Sequence, residues 1–218
     1  SVLVEVFESP TAEFTLNNVC DGEQVDFTDQ SINGNITQWI WSFGDGNTSN
    51  ETNPSYTYSS YGTKNVNLTV TTDNNCTSIQ NHEVEVYDNP TVDIMADDNC
   101  FGLETVFTNN SNAPISDIVS YNWNVDGNLF TTEELTYTFP DAGIYTVNLE
   151  VITEHGCNDN QDIDINISPA PESSFTYINP CLSNVVELTN TSTASSIDNP
   201  IVSYLWEFDN GDTSDEEE

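Results

Sequence analysis

Hydrophobic and polar residues alternate one by one through most of the chain. Clear runs are VDFT (25–28), WIWSF (39–43), VNLTV (66–70), VEVY (84–87), VFTN (106–109), YNWNV (121–125), IYTVNLEV (144–151), IDINI (163–167) and VELT (186–189). A period of two predicts strands with one buried face, and helical periodicity is nearly absent. Short strands separated by turn residues are typical of a small β-sandwich, so the pattern predicts an all-β fold.

One motif occurs three times: a tryptophan, an apolar residue two places on, and a turn containing Asp and Gly. The copies read WSFGDG (41–46), WNVDG (123–127) and WEFDNGD (206–212), and their tryptophans are 82 and 83 residues apart. Residues two apart in a strand share a face. The predicted core positions between the two sheets are therefore Trp41 with Phe43, Trp123 with Val125, and Trp206 with Phe208.

The turn that follows the first tryptophan strand is Gly44-Asp45-Gly46. Glycine supplies positive φ at no steric cost, and an Asp side chain bonds to its own backbone nearby, so the segment predicts a hairpin turn. The alternative for Asp45 is a metal ligand.

The repeat has a period near 80 residues, which divides the chain into units. Pro10, Pro90 and Pro171 are spaced by 80 and 81 residues. We expect one unit at 9–88, a second at 89–169, and the N-terminal half of a third at 170–218. Residues 1–8 resemble the last strand of an earlier unit. The chain is therefore expected to be a window from a longer array, in which the lack of a signal peptide says nothing about targeting.

Five cysteines follow the same period. Cys20 and Cys76 occupy places that match Cys100 and Cys157, and Cys181 matches Cys20. No CxxC spacing or His cluster accompanies them, so a zinc site is not indicated. We predict disulfides within units, Cys20–Cys76 and Cys100–Cys157, with Cys181 pairing outside the chain; buried free thiols are the alternative. Such bridges are typical of an extracellular setting and would limit extension under load.

Charge restricts the partners. The chain has 37 acidic residues, one lysine and no arginine, for a formal net charge of −36. Nucleic acid and anionic membrane surfaces are excluded because both need clustered basic residues. No stretch is apolar and long enough for membrane insertion. Disorder is a rival interpretation of so much charge, but aromatic residues make up 11% of the chain and recur at fixed positions. Basic partners and divalent cations stay open.

The residues resemble a known family at this point. WSFGDGNTS (41–49), followed by NPSYTYSSYGTKNVNLTV (53–70), is similar to the PKD domain, an immunoglobulin-like module. The second unit keeps Tyr137, Gly143, Tyr145, Val147 and Leu149, but lacks the first glycine of the turn. The resemblance implies tandem immunoglobulin-like β-sandwiches, and very acidic, cysteine-paired PKD arrays are similar to large repetitive bacterial surface adhesins.

The acidic residues suggest one candidate for Ca²⁺, which prefers hard oxygen ligands. If Cys100 bonded Cys157, Asp97 and Asp98 would come close to Asp159. A weaker version in the first unit is Asp21 with Asp73. Calcium binding also occurs in some members of the resembled family. Solvated acidic loops are the alternative, because no EF-hand-type loop is present.

No catalytic motif is found, so we expect a non-enzyme. The leading hypothesis is a stalk or filament segment of a cell-surface adhesin, whose partners are neighbouring repeats of one long chain or identical chains in a fibre. A second is an accessory module of a secreted hydrolase that attaches to a polysaccharide or protein surface. A third is a ligand-binding module that uses an exposed aromatic strip, for which Trp39 and Tyr61 are the candidates.

Overall fold

The computed structural model describes residues 6–178, 185–195 and 200–217. Every regular element in these ranges is a β-strand. The predicted all-β class is therefore confirmed. Cys181 lies outside the described residues, as do residues 1–5 of the strand expected from a preceding unit. Residues 6–8 form no strand.

The chain divides into two compact units. The first contains Ser1–Val92, Ser111–Tyr121 and Glu150–Asn160, and the second contains Asp93–Asn110, Asn122–Leu149 and Gln161–Glu218. The first unit thus includes the whole first repeat together with residues 89–92 and two further segments of the second repeat. The repeat boundaries predicted at 8/9, 88/89 and 169/170 stay predictions.

The first repeat is a two-sheet sandwich. Its strands are β1 (Phe14–Thr15), β2 (Val19–Cys20), β3 (Gln24–Asp26), β4 (Thr28–Asp29), β5 (Ile36–Ser42), β6 (Thr48–Ser49), β7 (Ser55–Thr57), β8 (Gly62–Thr72) and β9 (Thr77–Tyr87). One sheet has the order β2-β9-β8-β5-β6, and short pairs β1-β4 and β3-β7 form the other face. β2 runs parallel to β9, whereas the other pairs are antiparallel.

The second repeat has the same topology. Its strands are β10 (Ile94–Met95), β11 (Asn99–Cys100), β12 (Thr105–Asn109), β13 (Ile118–Val125), β14 (Asn128–Phe130), β15 (Leu135–Tyr137), β16 (Gly143–Thr153) and β17 (Asn158–Ser168). The sheet orders are β11-β17-β16-β13-β14 and β10-β12-β15. In both repeats a hairpin of two 11-residue strands supplies the long core-covering elements, β8-β9 and β16-β17.

The repeated tryptophans occupy the centre of each sandwich. Trp41 and Trp123 are fully buried, and Phe43 and Val125 beside them are also buried, as predicted. A buried indole N–H needs a hydrogen-bond acceptor. Trp41 donates to the carbonyl of Glu51 at 2.8 Å, and Trp123 donates to the carbonyl of Thr132 at 2.9 Å. The same bond fixes the same residue in both repeats.

The third segment forms β18 (Phe175–Tyr177), β19 (Leu188–Asn190), β20 (Trp206–Glu207) and β21 (Thr213–Ser214). Phe175 occupies the position of Phe14, yet it is 53% exposed, compared with 2% for Phe14. Trp206 is only half-buried and Phe208 is exposed, so the prediction that this pair is buried in a core is wrong for Phe208 and is not confirmed for Trp206. Among the described residues of this segment, no strands cover these positions as the β8-β9 hairpin covers them in the first repeat.

The two complete tryptophan strands end in different turns. Gly44 and Gly46 have φ of +84° and +98°, as the predicted hairpin requires. The second repeat lacks the first glycine, and there Asp126 and Gly127 are both left-handed, at +51° and +80°. These two residues join β13 to β14 as a two-residue hairpin of the type that needs positive φ at both positions.

Candidate functional site

The candidate site is a junction that ties the first repeat to two segments of the second, all inside the first compact unit. Its centre is a disulfide between Cys20 at the end of β2 and Cys157 just before β17, with Cα atoms 5.6 Å apart. Cys76 and Cys100 carry free thiols. The predicted pairs Cys20–Cys76 and Cys100–Cys157 are therefore wrong: a disulfide is present, but it links one repeat to the next.

The long hairpin strands explain why pairing within a repeat fails. Cys20 lies beside Tyr87, the last residue of β9, whereas Cys76 immediately precedes the first. Eleven residues of strand separate the two ends by roughly 36 Å. A disulfide needs Cα atoms about 4.4–6.8 Å apart. Cys100 and Cys157 are separated in the same way by β17, because Cys100 pairs with Ser168 at its far end.

Two contacts accompany the disulfide. The rings of Tyr87 and His155 stack with centroids 3.8 Å apart and planes 9° apart. The buried carboxylate of Asp88 accepts hydrogen bonds from the Ile115 N–H at 2.9 Å, from the Ser116 N–H at 3.4 Å, and from the Ser116 hydroxyl. Both contacts join the end of β9, at Tyr87 and Asp88, to loops of the second repeat. The connection between the two repeats is therefore held by these contacts as well as by the disulfide.

Burial raises the pKa of Asp88, but hydrogen bonds from the Ser116 hydroxyl and from the Ile115 and Ser116 amides lower it by more. The net pKa lies below the ordinary value of 3.8. A carboxyl group whose pKa is lowered by folding stabilises the fold above its unfolded-state pKa. This contribution is lost as the pH falls below about 3.8 and through the folded-state pKa.

Replacing Asp88 by Asn tests this anchor. We expect Asp88→Asn to lower the free energy of unfolding by about 1–3 kcal/mol at pH 7, because the charged acceptor is lost from a buried site. The difference from wild type should shrink on acidification below the unfolded-state pKa. Chemical denaturation between pH 7 and pH 2.5 measures both effects. Asp97→Asn, at an exposed carboxylate, is the matched control; an equal loss there would contradict the assignment.

The disulfide can be mapped chemically because cleavage after glutamate puts every cysteine on its own peptide. Cys20 falls in 14–23, Cys76 in 52–83, Cys100 in 86–104 and Cys157 in 155–172. After alkylation without reduction, we expect 14–23 linked to 155–172, with Cys76 and Cys100 alkylated. A link between 14–23 and 52–83 would contradict the structure.

The structure does not bring the predicted calcium ligands together. Asp98 accepts a hydrogen bond from the Asn166 amide, whereas Asp159 accepts one from Val92 near the start of β17. Seven residues of strand place Asn166 about 23 Å from Asp159. The grouping of Asp97 and Asp98 with Asp159 followed from the Cys100–Cys157 bridge, and it fails with that bridge.

Within the part of the chain that the structure describes, no group of three or more His, Cys, Asp or Glu side chains could hold a metal ion. Calcium binding therefore stays a prediction without assigned ligands. Melting temperatures with Ca²⁺ and with Mg²⁺ at equal ionic strength test it, since charge screening responds to both ions alike.

Asp45 has a structural role in the first turn. Its carboxylate accepts the Asn47 N–H at 3.0 Å and the Tyr56 hydroxyl at 2.7 Å. Burial raises its pKa, and the bonds from Tyr56 and Asn47 bring the net pKa below its ordinary value. These partners satisfy the carboxylate as the turn interpretation requires.

The two aromatic candidates for ligand binding do not form a strip. Trp39 is half-buried, and its indole N–H donates to Asp29 at 2.7 Å. It pairs with Val70 near one end of β8, whereas Tyr61 precedes the other end. The nine residues from Tyr61 to Val70 correspond to about 30 Å of strand.

Sequence reasoning missed Tyr87, Asp88, Ser116 and His155. Asp88, Ser116 and His155 lie in loops, where the alternating pattern carries no information, and for Tyr87 the run VEVY (84–87) predicts a strand but no contact. One signal was present: Tyr87 and Asp88 sit directly before the unit boundary, where a linker contact is expected.

These features define the chain as a tandem set of immunoglobulin-like β-sandwich modules joined by a covalent cross-link. The PKD domain profile matches residues 7–86 and 87–168, so the chain belongs to the PKD domain family and the resemblance is confirmed. Among solved structures, the PKD1 domain from Vibrio cholerae metalloprotease PrtV is 33% identical, with a TM-score of 0.34, and the match covers 36% of this chain and 98% of that one.

Two curated relatives are longer proteins. The chain is 30% identical over 151 residues to pre-pro-metalloprotease PrtV of Vibrio cholerae, which covers 68% of this chain and 16% of that protein. It is 28% identical over 160 residues to collagenase ColA of Bacillus cereus, covering 70% and 15%. The chain thus spans about one sixth of these relatives' length. In the described residues, no helix is long and apolar enough to cross a membrane.

Proposed function

We propose that the chain is a load-bearing spacer in a long extracellular repeat protein, the stalk or filament of a cell-surface adhesin. The observation that carries this proposal is the Cys20–Cys157 disulfide, which links two successive repeats rather than stabilising one. A cross-link of this kind fixes neighbouring modules to each other, and disulfides persist in oxidising, extracellular compartments.

The surface chemistry supports an exposed spacer. A net charge of −36 keeps modules apart and soluble, since like charges repel at short range even in salt. Because Lys64 is the only Lys or Arg in the chain, trypsin-type proteases have a single site. Both properties favour a structure that spans distance outside the cell.

Imaging and labelling test the proposal together. We expect antibodies against this chain to label intact, unpermeabilised cells, and the complete protein to appear as an extended thread in low-dose electron micrographs. A compact particle with a catalytic domain beside these repeats would contradict the adhesin proposal.

The second candidate is an accessory module of a secreted hydrolase that assists attachment to substrate. The similarity to a metalloprotease and a collagenase favours it. Co-sedimentation of the 218-residue chain with insoluble collagen or polysaccharide distinguishes the two functions. A spacer should stay in the supernatant at every concentration, whereas an attachment module should saturate the fibres.

A further inference from the structure

The two free cysteines occupy the positions of the two bonded ones. Cys76 corresponds to Cys157, since both follow a turn residue with left-handed φ, Asn75 at +61° and Gly156 at +84°. The Cys76 N–H donates to Thr72 Oγ1 at 3.2 Å, and the Cys157 N–H donates to Thr153 Oγ1 at the same distance. The backbone therefore presents both sulfurs in the same way.

Cys100 corresponds to Cys20 in its strand position and in the backbone hydrogen bond that follows it. Cys20 and Cys100 end β2 and β11, the short strands that run parallel to β9 and β17. The next residue donates its N–H to the last residue of the long strand in each case, Asp21 to Tyr87 and Phe101 to Ser168, both at 2.8 Å. Cys76 and Cys100 are partly buried, as is the bonded Cys20, whereas the bonded Cys157 is buried.

The chain also enters the first repeat as it enters the second. A Cβ added at Gly34 would lie 3.5 Å from the carbonyl oxygen of Glu8. Glu8 and Gly34 are the counterparts of Asp88 and Ser116, which contact each other at the junction. A repeat that ends at Glu8 would thus approach the Cys76 hairpin as the first repeat approaches the Cys157 hairpin.

We propose that Cys76 and Cys100 are the open ends of a disulfide series, each bonded to a cysteine of another repeat of this type. We call Cys76 and Cys157, which lie in the turn of the long hairpin, the hairpin cysteines, and Cys20 and Cys100, which end β2 and β11, the short-strand cysteines. Cys100 bonds to the hairpin cysteine of a repeat that follows. Cys76 bonds to the short-strand cysteine of a repeat that precedes. The inference rests on the proposed spacer function but concerns the covalent partners of these two thiols.

The chemistry is thiol–disulfide exchange with a donor disulfide, either glutathione disulfide or an oxidised exchange protein. One thiolate attacks the donor and forms a mixed disulfide, and the second thiolate then displaces the donor sulfur. Two S–H bonds are exchanged for one S–S bond, and the donor leaves as two thiols that carry the two protons. The donor is reduced and the repeat pair is oxidised.

A duplicated repeat tests the Cys76 end on the full chain. A copy of residues 9–88 is inserted between Glu8 and Ser9. The copy carries Cys76→Ser, so that native Cys76 is the only cysteine at this position in the two versions of the first repeat. After refolding in a glutathione redox buffer, glutamate-specific cleavage without reduction should give 14–23 linked to 52–83. The alkylated form of 52–83 should be lost, and the native link between 14–23 and 155–172 should persist.

The matched control adds Cys20→Ser within the copy. We expect the 14–23 to 52–83 link to disappear and native Cys76 to become alkylated again. Persistence of that link would show pairing within one repeat and overturn the proposal. Alkylated Cys76 in the first insertion, or Cys76 capped by glutathione, would also overturn it for this end.

The Cys100 end is tested independently by inserting a copy of residues 89–169 between Pro169 and Ala170, with Cys100→Ser in the copy. The expected result is peptide 86–104 linked to 155–172 through the copy's hairpin cysteine. Changing that cysteine to serine should restore alkylation of Cys100, and alkylated Cys100 in both proteins would overturn the proposal. Since these tests measure pairing alone, they can fail while the imaging of a thread succeeds, or the reverse.

Discussion

Pulled between residues 9 and 169, the oxidised chain should release only about 80 Å, because the disulfide carries the force past the residues it encloses. The load runs from residue 9 to Cys20, across the sulfur–sulfur bond, and from Cys157 to residue 169. These two stretches contain 11 and 12 residue steps, at about 3.5 Å each. One bond therefore shields most of both repeats.

The reduced chain should release far more. All 160 residue steps between the two handles become available, which corresponds to about 560 Å of contour. Single-molecule force spectroscopy with cysteine-free handles, before and after addition of a reductant, measures the difference. Cys20→Ser should behave as the reduced chain does even under oxidising conditions.

The control for this experiment is Cys76→Ser with Cys100→Ser, which leaves the bonded pair intact and should keep the short release. Pairing within repeats would instead leave about 24 residues outside each ring and give two steps of about 85 Å. Two separate steps of about 280 Å in the oxidised wild type would mean that no disulfide carries load.

The disulfide also acts without force. Bonded residues are 137 apart in sequence, and in the chain-entropy account a ring of this size stabilises the folded state by about 5 kcal/mol. A ring of 57 residues, as predicted for Cys20 and Cys76, would give about 4 kcal/mol. The gain from the larger ring is small, so what the observed pairing adds is mainly mechanical.

Much of the fold could be predicted from the sequence, because alternation and the repeated tryptophan report directly on which face is buried. The cysteine pairing could not. A fixed period makes Cys20 and Cys157 as regular a pair as Cys20 and Cys76, so spacing alone does not distinguish a bond within a repeat from a bond between repeats.

The deciding information is strand length. The hydrophobic alternation in VEVY (84–87) marks only the last part of β9, whereas the strand begins at Thr77 and runs through mostly polar residues. Those extra residues move Cys76 to the far end of the sheet from Cys20. Polar extensions of this kind pair through the backbone, which no side-chain pattern reveals.

The first turn gives the other large expected effect, on stability. Gly44→Ala should lower the free energy of unfolding by about 2–5 kcal/mol, from left-handed φ in a residue with a Cβ and from overpacking. Gly44 has φ of +84°, and an added Cβ would lie 2.5 Å from the carbonyl oxygen of Asn65 and 2.9 Å from its nitrogen. These are backbone atoms of β8, so no side chain can move aside to make room.

Gly46→Ala is the matched control in the same turn. Its φ is +98°, but an added Cβ would meet nothing within 4 Å. Gly46→Ala should therefore lower the free energy of unfolding by only about 1–2 kcal/mol, which is the cost of a left-handed backbone in a residue with a Cβ. Urea denaturation of both variants, with the disulfide intact, measures the difference. Equal losses would show that the close approach of Gly44 to β8 contributes nothing and that Gly44 serves only the turn. A larger loss at Gly44 would show that the first repeat requires glycine at this position because its turn packs directly against the backbone of β8.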